Sequence, residues 1–159
     1  MEIDTLFGLP AHPLFVHLPI VLIPLLTIWA IILAVKPELR ERQAKPLAAA
    51  VVLVAIATVF AAGAGEQLEK RVGEDSLVEK HAELGEQTRL IVLIFAAAAI
   101  ALAVAVHRNM QRFLAGLAVT VAILGLVSTV WVTRTGHAGA KSVWSETADA
   151  PVAGDDDGD

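Results

Sequence analysis

The chain has 159 residues, of which 56% are hydrophobic and 18% charged, and its mean hydropathy is +0.66. Soluble domains run at about 45–50% apolar and about 25% charged, so both departures point to lipid. The net charge of −5, with no basic patch threaded by aromatics, excludes nucleic acid as an expected partner. The absence of cysteine excludes disulfides, thiolate metal sites and a cysteine nucleophile.

Four apolar stretches, each free of Asp, Glu, Lys and Arg, follow one another along the chain. A helix needs about 20 apolar residues to cross a bilayer. The first stretch, residues 14–35, is preceded by Glu2 and Asp4 instead of a basic segment and is too long for a cleavable signal. Its Pro19 and Pro24 are tolerable in lipid, with a kink expected. The segment KPELRERQAK then supplies Lys36, Arg40, Arg42 and Lys45. The second stretch, residues 47–65, ends in small residues and Glu66. In the connection that follows, Ser76 and Glu79 form a capping-box pattern. It predicts a helix running straight into the third stretch, residues 90–106, with His81, Leu84, Gly85 and Thr88 on one face. The short turn HRNMQR carries Arg108 and Arg112 into the fourth stretch, residues 113–132. Beyond about residue 145, Asp155, Asp156, Asp157 and Asp159 among glycines read as a disordered acidic tail.

The expected fold is therefore an all-α membrane protein, a four-transmembrane-helix bundle over residues 1–145 made of two antiparallel hairpins. The concentration of Lys and Arg in the two short connections puts those connections in the cytoplasm and both termini outside, in a cell (inner or plasma) membrane. No sequence repeat relates the two hairpins.

Candidate chemistry rests on histidine. His107 sits beside Arg108 in the short turn, where a solvated role suffices. His12, His17, His81 and His137 all fall at the opposite, outer end, and Glu66 at the top of the second helix could complete a ring. Imidazole is a ligand for haem iron and for transition metals alike. Pro13 suits the first position of a helix, which would leave His12 just outside it. His17 lies within the helix, and five residues turn about 500°, so the two do not share a face. In the segment TRTGHAGAKSVW, Gly136 and Gly139 would admit a flat ligand, and Arg134 and Lys141 could neutralise haem propionates or lipid phosphates. The plainer reading of that segment is a helix end at the interface, with Trp131 and Trp144 as anchors. Glu83, Glu86 and Arg89 read more simply as a solvated helical face than as an ion relay. No GxSxG, HExxH, P-loop or GxGxxG motif occurs, and no span carries the buried charge of a pump or transporter.

HPLFVHLPI (His12 to Ile20), the small-residue end of the second span at Gly63, Gly65 and Glu66, His81 with Gly85, and GHAGAKSVW (Gly136 to Trp144) together resemble the bacterial membrane family known as domain of unknown function 2231. The resemblance runs from about residue 8 to about residue 145. It implies a four-helix membrane domain and no established activity. Some members resemble fusions to c-type cytochrome modules, which implies a redox context. With no CxxCH here, any haem would be non-covalent. Three readings follow. The first is a b-type haem module for electron transfer, liganded from His12, His17, His81 and His137 with one axial ligand expected from His17. The second is a copper or zinc protein using the same histidines with Glu66. The third is an assembly subunit whose polar outer end meets another membrane or redox protein.

Overall fold

The computed structural model describes residues 5–6, 9–72 and 76–148. Four helices account for nearly all of them: α1 (Ala11–Val35), α2 (Pro37–Val72), α3 (Ser76–His107) and α4 (Gln111–Ala148). A two-residue antiparallel bridge, β1 (Thr5–Leu6) against β2 (Leu9–Pro10), leads into α1. The acidic tail from residue 149 lies outside the described residues, and α4 continues to Ala148, past the boundary expected from sequence.

The four spans are present as helices longer and more apolar than a crossing requires. With 36 residues in α2 and 38 in α4, those helices reach about 54 and about 57 Å at about 1.5 Å per residue, against a hydrocarbon core of about 30 Å. The bundle therefore projects beyond the membrane. Each helix packs on its neighbours in sequence, and α4 closes back on α1 to make a ring of four.

The packing pattern follows from the solvent being lipid. Buried positions on α1 recur as Ile23, Leu26, Ala30 and Leu33, and on α3 as Val92, Phe95, Ala99 and Leu102. Outward faces carry Leu25, Leu53, Leu93 and Ile123, all well exposed. In water such apolar faces would aggregate; in lipid they are ordinary. Because lipid is as apolar as the core, association rests on close approach by small residues such as Ala44, Ala48, Ala99 and Ala118.

The two short connections are tighter than the sequence suggested. Pro37 already opens α2, so Lys36 alone separates it from α1. The vacant carbonyls at the end of α1 are taken by Arg40, whose Nε donates to Leu33 O and whose guanidinium NH2 donates to Ala34 O, both at 2.7 Å. At the other turn, Asn109 adopts φ 54°. The amide of Met110 returns to Ala105 O at 2.9 Å and that of Asn109 to Val106 O at 3.1 Å, a Schellman close with Asn in the left-handed position. α3 opens at Ser76 and runs unbroken to His107, as the capping pattern predicts.

Candidate functional site

At the end of the bundle opposite the short turns, two imidazoles meet. His12 lies in the first turn of α1, and His81 in the second turn of α3. Their ring centroids are 5.9 Å apart with the planes at 81°. His12 is thus inside α1 and not ahead of it, because the helix begins at Ala11 and accommodates Pro13 within its first turn, where the amide has no intrahelical partner.

Each ring is fixed by the other helix of its own hairpin. His12 Nδ1 donates to Ala61 O on α2 at 2.8 Å, and His81 Nδ1 donates to Thr135 O on α4 at 2.9 Å. A carbonyl only accepts, so the nitrogen facing it bears the hydrogen, and in the neutral ring Nε2 keeps the lone pair. Burial pushes the His12 pKa down from its ordinary value. The hydrogen bond to Ala61 opposes that shift, and the neighbouring His81 adds to it.

Both rings lie on glycine. A Cβ at Gly65 would stand 3.0 Å from His12 Cε1 and Nδ1, and one at Gly139 would stand 2.8 Å from His81 Cε1. The acceptor and the glycine are four residues apart in both cases, Ala61 with Gly65 and Thr135 with Gly139, so each imidazole covers one helical turn. The two hairpins therefore repeat one device, a histidine on the first helix clasped to a carbonyl-and-glycine turn on the second. The sequence comparison of the hairpins missed it because only the Ala-Gly pairs, Ala64-Gly65 and Ala138-Gly139, match locally.

Hydroxyls continue the seam between α3 and α4. Thr135 Oγ1 sits 2.8 Å from Thr88 Oγ1, and both hydroxyls reach Leu84 O, at 3.1 and 2.8 Å. Trp131 Nε1 donates to Gln87 Oε1 at 2.9 Å, which gives Trp131 a partner inside the bundle. Deeper in, Thr27 of α1 meets Thr129 of α4 at 2.9 Å.

The remaining expected site residues lie elsewhere. His17 is exposed on α1, and His137 is exposed on α4, two residues and so about 200° from both Thr135 and Gly139. An added Cβ at Gly136 would meet only Ile20 Cδ1, at 3.8 Å. Arg134 is exposed, its guanidinium 5.4 Å from the Trp131 ring, and Lys141 is exposed further along α4. Glu66 pairs with Arg89 at 3.1 Å. His107 is exposed at the far end. Among the described residues no three His, Cys, Asp or Glu side chains converge as a metal cage. Of His12, His17, His81 and His137, the structure brings His12 and His81 together edge-on, whereas His17, expected as the favoured ligand, is exposed on α1.

Fold and site define a multi-pass membrane protein, a four-helix transmembrane bundle whose apolar spans contact the bilayer. The family described as a predicted membrane protein, DUF2231, matches residues 8–150, and the chain belongs to it. No curated protein and no solved structure matches the chain.

Proposed function

We propose that the protein binds one copper ion between the Nε2 atoms of His12 and His81, at the end of the bundle that faces out of the cytoplasm. The observation that carries this reading is the pairing itself: two imidazoles, each with Nδ1–H tied to a main-chain carbonyl, so that both offer the nitrogen a metal takes. That is the outer-shell arrangement of histidine ligands, in which the second ring nitrogen donates and fixes the tautomer. Imidazole–metal bonds of about 2.0 Å placed in line, with the ring radii added, set centroids about 6 Å apart. The rings are 5.9 Å apart. Monovalent copper accepts two neutral nitrogen ligands, whereas zinc calls for three or four protein ligands.

A haem iron would suit the same separation, and the room around the pair is what favours copper. Of the glycines expected to line a haem slot, Gly63, Gly65, Gly136 and Gly139, the second and fourth are covered by the imidazoles, while Gly63 and Gly136 are not. A macrocycle would need open ground around both rings, and the cover over these two glycines favours the smaller ion. Arg134 and Lys141, expected near propionates, are exposed on α4 instead.

The test is metal analysis of detergent-purified protein after loading with copper(I) and removal of excess. One equivalent is expected, lost in His12→Ala and in His81→Ala and kept in His137→Ala. A haem absorption band in protein from haem-replete cells would restore the haem reading. Binding of neither would leave the imidazoles as clasps between helices and favour an assembly role. Orientation is tested separately: a reporter fused after Asp159 should be active only outside the cytoplasm.

A further inference from the structure

A groove of about 360 Å³ runs between α2 and α3 on the lipid-facing side, floored by Ala55, Ala96 and Ala97 and walled by Ile56, Phe60 and Ile100. Leu93 at its upper end also lines a second hollow of about 390 Å³ that contains Glu83, Glu86, Gln87, Arg89 and Leu90. On α3 the sequence Glu83, Glu86, Leu90, Leu93, Ala97, Ile100 steps by three and four, so these residues form one stripe along the helix. Seventeen residues separate its ends, which is about 26 Å of helix. The stripe is charged where the third span begins and apolar below. Along it the two hollows follow one another, with Leu93 lining both.

The charges at the top are arranged in a specific way. Arg89 bridges the two helices that form the groove, with one guanidinium nitrogen 3.1 Å from Glu66 on α2 and another 3.2 Å from Glu86 one turn back on α3. Arg89 is 30% exposed, while Glu66 and Glu86 are 58% and 73% exposed. One guanidinium thus lies between two carboxylates, and Glu83, whose Oε1 accepts from Gln87 Nε2 at 3.1 Å, lines the same hollow. An anionic headgroup would meet net negative charge there. A zwitterionic one would put its phosphate on Arg89 and its cation among the carboxylates. A primary ammonium donates three hydrogen bonds to carboxylates, as a lysine does, whereas a quaternary ammonium donates none.

We propose that this groove holds one phospholipid with a phosphoethanolamine headgroup, its phosphate on Arg89, its ammonium on Glu83 and Glu86, and an acyl chain along Leu93, Ala97 and Ile100. The small side chains of the floor provide the depth for the chain, and the Arg89 bridge provides the address for the head. The site is independent of the histidine pair.

The experiment is native mass spectrometry of detergent-purified full-length protein offered phosphatidylethanolamine, phosphatidylcholine and phosphatidylglycerol of identical acyl chains. Wild type should retain the ethanolamine lipid at about tenfold the level of either other lipid. The double variant Glu83→Gln, Glu86→Gln, altered at exposed positions, should lose that preference while still retaining lipid. Ala97→Leu, which fills the groove, should lower retention of all three lipids together. Equal retention of the three lipids by wild type, a preference for phosphatidylglycerol, or an ethanolamine preference that survives the double Gln change would each overturn the proposal.

Discussion

His81 of α3 donates to Thr135 O of α4 in the same way that His12 of α1 donates to Ala61 O of α2, at 2.9 and 2.8 Å. The two hairpins thus meet through matching parts, and the imidazole centroids lie 5.9 Å apart where the hairpins join. A buried carbonyl within a helix already accepts one backbone hydrogen bond and has a second lone pair to offer. Each histidine uses that lone pair and lies flat enough on the helix to demand a glycine one turn later.

The glycines therefore set the rings. Gly65→Ala would place a methyl 3.0 Å from His12, and Gly139→Ala one 2.8 Å from His81. Either ring must then shift against its carbonyl, and disturbance of such an outer-shell bond weakens metal sites by about 10–100-fold. Copper affinity should fall by that order in each variant while the protein remains in the membrane. Gly63→Ala is the control, since nothing lies within 4 Å of its added Cβ. Unchanged affinity in the Gly65 and Gly139 variants would refute the clasp as a ligand-positioning device.

Acid should loosen this end of the bundle. The His12 pKa is held below its ordinary 6.5, first by burial. Between the lowered folded value and 6.5 the unfolded chain carries a proton that the folded chain does not, so stability rises with pH in that window. The contribution is whole above 6.5 and is lost as pH falls through the folded value. Thermal midpoints of the metal-free protein should drop on acidification from about pH 7.5 to about pH 5, and His12→Asn should show a shallower drop. Copper should be released over the same range, because the proton competes for Nε2. A midpoint that climbs on acidification would contradict the buried neutral His12.

The spans were legible from sequence because lipid imposes a length and a composition that no other environment requires. The helical extension from Ser76 was legible too, since its start signal is local. The histidine partners were not. His12 and His17 offer the same chemistry in sequence, and their ranking depended on whether Pro13 opens the helix or sits inside its first turn. Nor did Gly65 and Gly139 announce their role, because a glycine that admits an imidazole and one that admits a ligand look alike. Trp131 read as an interfacial anchor, and its bond to Gln87 depends on the α3–α4 register, which only tertiary packing sets.

Closer to the bilayer centre, α1 and α4 touch at Thr27 and Gly125. A Cβ on Gly125 would lie 2.9 Å from Thr27 Oγ1 and 3.3 Å from Thr27 Cα. The second contact is with backbone, so rotating the threonine does not relieve it. The Thr27–Thr129 bond of 2.9 Å would be strained as well. Gly125→Ala should cost about 1–3 kcal/mol, the range for overpacking. Gly116→Ala, with open space around it, should be neutral or slightly stabilising. Thermal unfolding of both variants in one detergent decides the matter, and a Gly125→Ala midpoint at or above wild type would contradict the α1–α4 contact.

At the opposite end, Arg40 does for α1 what no residue of α1 can do. The helix stops one residue before α2 begins, leaving its last carbonyls without amide partners. Arg40, 8% exposed, spans back to two of them, Leu33 O and Ala34 O. The planar guanidinium can serve both because its donors are fixed in a fork, which the point charge of lysine cannot imitate. Hydrogen bonds from a charged donor contribute about 1.5–3 kcal/mol, and Arg40→Ala should destabilise the bundle by about that much. Arg40→Lys should recover only part of the loss, whereas Arg42→Ala, at an exposed neighbouring position, should cost little. Equal midpoints for Arg40→Ala and Arg42→Ala would show that the first turn is held by the packing of Leu33 and Leu47 alone.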